Sequence, residues 1–552
     1  MHTLLDDLDL NAIADENARQ LIRRLLNLTE QLSADLREAQ AENQRLRDEI
    51  NRLKGEQGKP EIKANTPKQP ASDHSSEKER RKPRQRHKGR KKAEIKIDRE
   101  QIVPVAPAAL PTDAKFQGYD EVVVQDLLLK TDNVRFRKER YYAASTQTNY
   151  LASLPQGYAG QFGPGVKALI PALYFGMGST EPKILEFLTN AGIRISEGEV
   201  SNLLIKDKEG FHAEKDAVYE AGLRSSPWQH TDDTATRVAG QNQHCHVVCN
   251  PVYTVYETKP NKDRLSVLDV LRNGRARRFR LNAEALGYLE NVQLSKATRQ
   301  CLQAACSETE QDEPTFHQHL ERLLPNLSAP HRKVITDAAA IAAYHAETDW
   351  PVIETLVCDD APQFNWLTEA MMLCWVHEGR PYKKLMPVVP LHRQALDNFL
   401  QRFWAYYDQL LVYKQHPRPK DRARLEAAFD TLFATHTDYE DLDQRIAKTR
   451  AKKASLLLVL DHPELPLHNN PAELGARQRV RKRDISFGPP TQEGRKAWDT
   501  FMTLAETAKK LGVSFYAYLR DRIAGTHTIP PLAELVEQAA KKLNLGQSWS
   551  GA

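Results

Sequence analysis

The chain has 552 residues, 40% hydrophobic and 27% charged, which is the composition of a folded protein with room for about two to four domains, not of a disordered chain. No run approaches the roughly eighteen apolar residues of a membrane span, and the acidic start MHTLLDDLDL lacks the basic-then-apolar order of a secretory signal. Six cysteines without a CxxC pair are too few for a disulfide framework, so a reducing, cytoplasmic setting is expected. Lys and Arg total 78 against 73 Asp and Glu, a net charge of +5, so the useful question is where the basic residues cluster.

Residues 1–54 read as a coiled-coil helix. Ile22, Thr29, Leu36, Asn43 and Ile50 share one heptad position, and Leu25, Leu32, Ala39, Leu46 and Leu53 share the other. Apolar residues every 3.5 positions form a seam that a lone helix cannot bury, and an Asn inside it favours one register. The expected partner is a second copy, giving a homodimer or higher homo-oligomer; an amphipathic helix packed on its own protein is the alternative. Residues 55–94 are polar and proline-dotted, a linker. Within it, ten of the fifteen residues of KERRKPRQRHKGRKK (78–92) are Lys or Arg. This segment, with Arg80, Arg81, Lys82, Arg84, Arg86, Arg90, Lys91 and Lys92, is expected to pair with nucleic-acid phosphates; a solvated tail is the bland reading.

Residues 95–155 are predicted as a small β-rich module, with strands in EVVVQDLLLK (121–130) and VRFRKERYYAAS (134–145). It holds no cysteine and cannot be a zinc ribbon. Residues 156–225 are predicted helical, in GPGVKALIPALYFG, STEPKILEFLTNAG and ISEGEVSNLLIKDK. Ser179 or Thr180 would cap the second helix, Gly192 would make the turn, and Ser196 with Glu199 would form a capping box on the third. That is a helix-turn-helix-like pattern suited to DNA contact, although plain helical scaffold gives the same signals.

The second half carries the candidate chemistry. Residues 226–274 contain Asp232 and Asp233 beside two strand-like runs, HCHVVCN and VYTVYETK. Residues 275–347 look like a helical insertion, residues 348–525 a second part of the core, and 526–552 a C-terminal helix and tail. VIETLVC is a buried-looking strand that ends in Asp359 and Asp360, and strand ends are where sites form in open α/β sheets. Glu473 falls in the first turn of a helix opened by Asn469, Asn470 and Pro471. Carboxylates from distant parts of a chain suit a pair of Mg²⁺ ions about 3.5–4 Å apart. On spacing alone the pattern is weak among 73 acids: Asp232 also reads as a turn residue, Asp359 as a strand terminator, Glu473 as a helix-dipole partner. His244, Cys245, His246 and Cys249 alternate across a strand and do not converge as zinc ligands.

The local strings say more. HTDDTATRV (230–238), LVCDDAPQFNWL (356–367), CWVHEGRPYKKL (374–385), the long run 468–512 beginning HNNPAELGARQRVRKRDISFGPP, and FYAYLRDRI (515–523) together resemble the insertion-sequence-66 family of bacterial transposases over roughly residues 150–525. The resemblance implies an α/β catalytic core of ribonuclease-H-like type and a DDE site in which Asp232, Asp359 and Glu473 are the catalytic and metal-binding acids. Asp233, Asp360, Asn469, Asn470 and His377 would support them, with Mg²⁺ as the metal, Mn²⁺ as its substitute and no zinc. Many relatives carry a cysteine-rich, zinc-finger-like module, whereas residues 56–227 here hold no cysteine. The long interval between Asp232 and Asp359 contains Asp337, a rival second acid. Arg477, Arg479, Arg481, Lys482 and Arg483, downstream of Glu473, are expected to include phosphate contacts, chiefly Arg477, Arg481, Lys482 and Arg483.

The expected function is a nucleoid-associated DNA transposase that binds terminal inverted repeats and target DNA, cleaves a phosphodiester and transfers the strand, with helper proteins possible and no membrane partner. The rivals are an inactive, domesticated DNA-binding derivative and an interaction protein whose zipper is its main function.

Overall fold

The computed structural model describes residues 10–54, 97–106, 110–111, 114–127, 129–158, 160–290 and 292–545. The basic residues Arg80, Arg81, Lys82, Arg84, Arg86, Arg90, Lys91 and Lys92 lie outside the described residues.

The heptad segment forms one helix, α1 (Glu16–Leu53), started by Asp15, whose carboxylate accepts from the backbone N–H of Asn17 at 2.8 Å. Its faces have different fates. Leu26 and Glu30 are buried against the body of the same chain, where the Glu30 carboxylate accepts from the N–H groups of Val388 and Val389 and meets His392 Nδ1 at 3.2 Å. Asn27 donates to the Asp438 carbonyl and Arg37 to that of Met386. The predicted seam is elsewhere: Leu25, Leu32, Leu36, Leu46, Ile50 and Leu53 are all exposed.

In the predicted β-rich module the described residues contain one hairpin, β1 (Arg140–Ala143) and β2 (Thr148–Leu151), with Tyr141 opposite Tyr150. The described residues of 121–130 form no strand, and Val122, Val124 and Leu127 are exposed. A β-branched run supplies propensity but not a partner for its backbone. The helical prediction for 163–208 matches three helices. α2 (Pro164–Pro171) continues as a π-helical turn over Ala172–Gly176, and α3 (Glu181–Asn190) and α4 (Glu197–Ile205) follow. Ser196 accepts from Glu199 N–H at 3.2 Å, and Gly192, at φ +86°, makes the turn. Thr180 occupies the N-cap of α3 without a side-chain hydrogen bond. α5 (Glu209–Arg224) leads into the core.

The core is a five-stranded mixed sheet in the order β5-β4-β3-β8-β9, from β3 (Trp228–Val238), β4 (Gln241–Asn250), β5 (Tyr253–Lys259), β8 (Thr355–Cys358) and β9 (Ala370–Leu373). The first three strands are an antiparallel meander; β8 is parallel to β3, and β9 to β8. Between β5 and β8 lie α6 (Arg264–Leu271), the short pair β6 (Arg278–Phe279) and β7 (Gln311–Asp312), α7 (Ala283–Tyr288), α8 (Lys296–Ala304), α9 (Glu313–Leu323) and α10 (Ala329–His345). The last of these is no appendage. Residues 335–344 of α10 are buried, and Tyr344 accepts from Ile353 N–H just before β8.

After β9 come α11 (Trp375–Lys384) and a helical block not foreseen from the sequence: α12 (Pro390–Gln415), α13 (Pro419–Phe433), α14 (Glu440–Arg450) and α15 (Lys453–Leu457). It is welded to α11 by Trp375, which packs on Phe403, Tyr406 and Phe429, and by buried Glu378, which pairs with Arg445 and Lys452. The chain then returns to the sheet as α16 (Asn470–Ser486), α17 (Gln492–Leu511), α18 (Phe515–Ala524) and α19 (Leu532–Lys542). α17 covers the edge strand β5. Thr507, Thr503 and Asp499, spaced four apart on one helical face, accept from the N–H groups of Thr254, Tyr256 and Thr258 at 3.0–3.2 Å. An otherwise open row of edge donors is thereby closed. No described helix is long and apolar enough to cross a membrane.

Candidate active site

Four elements converge where β3 and β8 run side by side. Their parallel register pairs His230 with Val357; carried two residues on, it sets Asp359, just past the end of β8, level with Asp232. α16 crosses β3 and β4, and its closeness depends on Gly475, where an added Cβ would fall 2.8 Å from Val247 Cγ1. Glu473 therefore enters from the first turn of α16, and His377 from the first turn of α11.

Asn469 ties these elements together. It is buried at the N-cap of α16, but its side chain does not cap the helix. Its Nδ2 donates to the Thr231 carbonyl at 2.7 Å and its Oδ1 lies 2.9 Å from His230 Nδ1, so one amide grips the strand beside Asp232. Its backbone N–H donates to Cys374 Sγ at 3.3 Å, joining the start of α11. Asn469 thus joins strand and helices instead of capping α16 with its side chain. For Asn470, the backbone N–H donates to His468 Nδ1.

The acids sort by what they touch. Asp233 accepts from Gln363 Nε2 at 3.0 Å with Lys262 4.0 Å away, and Asp360 is paired with Lys452 at 2.7 Å. Asp359 Oδ1 and Glu473 Oε1 are instead buried without a hydrogen-bond donor. Burial raises the Asp232 carboxyl to about 7; Asp359, Glu473 and Asp233 add to the rise through their charge, while the Asp233 N–H opposes it. Burial also raises Asp359, against the pull of His377. Asp337 stands apart, ion-paired with Arg264 at 3.1 Å and Lys333 at 3.8 Å.

Glu473 has two basic neighbours on α11. His377 Nδ1 is 3.3 Å from Oε1, and Arg380 Nη2 donates to Oε2 at 2.9 Å while Arg380 Nη1 meets His377 Nε2. Arg380 was not singled out in the sequence, although it lies three residues, about one helical turn, beyond His377 and so shares its face. Cys374, His377 and Glu473 bring ligand atoms within 4.8 Å of one another; Asp232 and Asp359 are not members of that cluster.

The basic stretch of α16 divides by burial. Arg477 and Arg481 are exposed. Lys482, expected on the DNA side, points inward: it is 3% exposed, donates to the Ser179 carbonyl at 3.2 Å and lies 3.1 Å from the centre of the Tyr174 ring. Arg479 is buried against Asp499 and Trp498. Arg483 donates to the Ala235 carbonyl and is partly exposed.

Sequence comparison agrees with where these elements lie. Residues 337–497, which hold Asp359, His377 and Glu473, match the family described as transposase IS66. A protein of Sinorhizobium fredii (strain NBRC 101917 / NGR234), described only as uncharacterized protein y4jO, is 33% identical over 332 residues, 58% of this chain and 100% of that protein. The class is thus that of transposases, and the chain belongs to the transposase IS66 family. No solved structure matches it.

Proposed function

We propose that this protein is a metal-dependent DNA transposase whose catalytic acids are Asp232, Asp359 and Glu473. The observation that carries the reading is the pair of buried carboxylate oxygens without donors, Asp359 Oδ1 and Glu473 Oε1, together with a third carboxyl, Asp232, that burial raises and the charges of Asp359 and Glu473 raise further. Acidic oxygens arranged so are unfavourable without a cation, and hard oxygen donors suit Mg²⁺ or Mn²⁺. The sheet order, with a meander followed by two strands parallel to β3, supports a ribonuclease-H-like core, and family membership supports transposition.

When bound, such cations supply Lewis-acid chemistry, activating an oxygen nucleophile and stabilising the leaving oxygen of a phosphodiester. Asp232, Asp359 and Glu473 would hold them. Asn469 keeps the strand and helix that carry two of these acids in register. Exposed Arg477 and Arg481, one and two turns beyond Glu473 on α16, would bind backbone phosphates, with part-exposed Arg483 near them. Water would attack first, and the freed 3′-hydroxyl would then attack target DNA. The basic residues Arg80–Lys92 would add sequence-independent affinity, and the exposed seam of α1 would pair with a second copy. The α3–α4 hairpin carries Glu181, Glu197 and Glu199 in its first helical turns, a charge that weighs against phosphate contact there. A cytoplasmic, nucleoid-associated location belongs to the same reading.

The test is Mg²⁺- or Mn²⁺-dependent cleavage of the element's own end DNA by the full chain and by Asp232→Ala, Asp359→Ala and Glu473→Ala. Each substitution is expected to abolish cleavage while DNA binding persists. Metal-dependent cleavage retained in all three would defeat the assignment, and a wild type that binds ends without nicking them would point to a domesticated DNA-binding protein.

A further inference from the structure

We propose that Arg380 makes cation binding at Glu473 conditional on DNA: a backbone phosphate takes the guanidinium, and the carboxylate it leaves becomes available to a divalent cation. The inference rests on the reading of Glu473 as a metal-binding acid.

The two oxygens of Glu473 are unequal. Oε2 accepts from Arg380 Nη2 at 2.9 Å, whereas Oε1 has no donor even with His377 Nδ1 3.3 Å away. The guanidinium bridges Glu473 and His377, two side chains whose ligand atoms lie close enough to share an ion. An internal cation thus already serves part of the place a metal would use. Guanidinium stays charged at any working pH, so an incoming divalent ion meets a fixed positive charge beside the carboxylate it needs.

Exposure gives the arrangement its direction. The Arg380 side chain is 48% exposed and that of Glu473 16%, so a ligand from solvent reaches the arginine first. An arginine fork suits phosphate oxygens at least as well as a carboxylate. Arg477, one turn beyond Glu473 on α16, is likewise exposed. A phosphate that engages Arg380 both neutralises the repelling charge and vacates Oε2. By linkage, a bound cation tightens DNA by the same factor.

The experiment is Mn²⁺ titration by electron paramagnetic resonance on the full chain, with and without a short blunt DNA duplex of arbitrary sequence, the duplex alone being subtracted. Wild type, Arg380→Gln, Arg380→Lys and Glu473→Gln are compared, with circular dichroism to establish that each is folded. In wild type, DNA is expected to raise Mn²⁺ affinity on the order of fivefold or more, the lower end of couplings between distinct sites. Arg380→Gln should bind Mn²⁺ without DNA about as tightly as wild type does with it, and DNA should then add little. Arg380→Lys, which keeps the charge but not the fork, should retain the weak DNA-free binding. An Arg380→Gln affinity without DNA that is unchanged or lower would overturn the inference, making Arg380 a bystander or a clamp that holds Glu473 for the metal. Wild type binding no Mn²⁺ in either state, or Glu473→Gln binding it undiminished, would instead defeat the reading of Glu473 on which the inference stands.

Discussion

Replacing Asn469 by Ala removes two short side-chain hydrogen bonds in a fully buried place, one to the Thr231 carbonyl at 2.7 Å and one with His230 Nδ1 at 2.9 Å. Since Nδ2 must be the donor to the carbonyl, Oδ1 must be the acceptor, and the proton between Asn469 and His230 is on Nδ1. Burial holds that imidazole neutral, its pKa lowered to about 3. Alanine therefore strands one acceptor and one N–H donor away from water. Each unmet buried group costs roughly 1–3 kcal/mol, so the expected loss is about 2–5 kcal/mol, a large share of the stability of an ordinary domain. Amide hydrogen exchange locates the effect: the N–H groups of 230–233 and of the first turn of α16 should lose protection well before those of α12. Asn469→Asp separates shape from hydrogen bonding, because it keeps an acceptor for His230 but sets a second oxygen against the Thr231 carbonyl. It is expected to be no better tolerated than alanine at neutral pH. A loss below about 0.5 kcal/mol by urea denaturation, with exchange unchanged around Thr231, would refute the idea that this amide joins strand to helix.

Four further outcomes follow from features already described. Asp232, raised from an ordinary 3.8 to about 7, holds a proton when folded that it releases when unfolded. The native state then binds more protons across that window, so the metal-free protein should lose stability as pH climbs through it; Asp232→Asn should flatten the slope, and thermal melting against pH with a chelator present checks the sign. Glu30→Ala leaves two backbone donors and His392 without their acceptor. It should release α1 at a local cost of about 2–4 kcal/mol, read as faster protease cleavage between residues 16 and 37 while the sheet stays intact. Lys482→Met should keep DNA affinity, and should stabilise the fold near neutral pH because burial lowers that amine's pKa to about 7. Arg477→Ala and Arg481→Ala should each weaken DNA binding and reduce the salt slope by about one.

Much of the candidate site was legible because its residues sit at chain features with local signatures. Asp359 ends an apolar run, Glu473 follows an Asn-Asn-Pro helix opening, and Ser196 caps α4 as its spacing predicts. What escaped depends on distance through space. Nothing local distinguishes Lys482 from Arg481, yet one turns under Tyr174 and Trp498 and the other faces solvent. The helices between Pro390 and Leu457 have amphipathic patterns that any core helix would share, so the sequence could not tell that they form a block inserted between His377 and Glu473. α10, alanine-rich and expected to be helical, is buried over residues 335–344, packed on β6, α6 and α7. In 121–130, apolar β-branched residues signalled a strand whose partner the chain does not supply among the described residues.

The docking of α1 through Glu30 has a mechanical consequence. The surface gripping the body and the row of exposed leucines are neighbouring stripes on one rigid rod, so the angle between them is set by how many residues separate them along the helix. Inserting one residue between Arg37 and Leu46 would rotate the later leucines by about 100° relative to the body, swinging any bound twin to a different side. An insertion of seven, close to two whole turns, would leave its bearing nearly unchanged while pushing it about 10 Å further out. Length in this rod thus encodes both reach and azimuth.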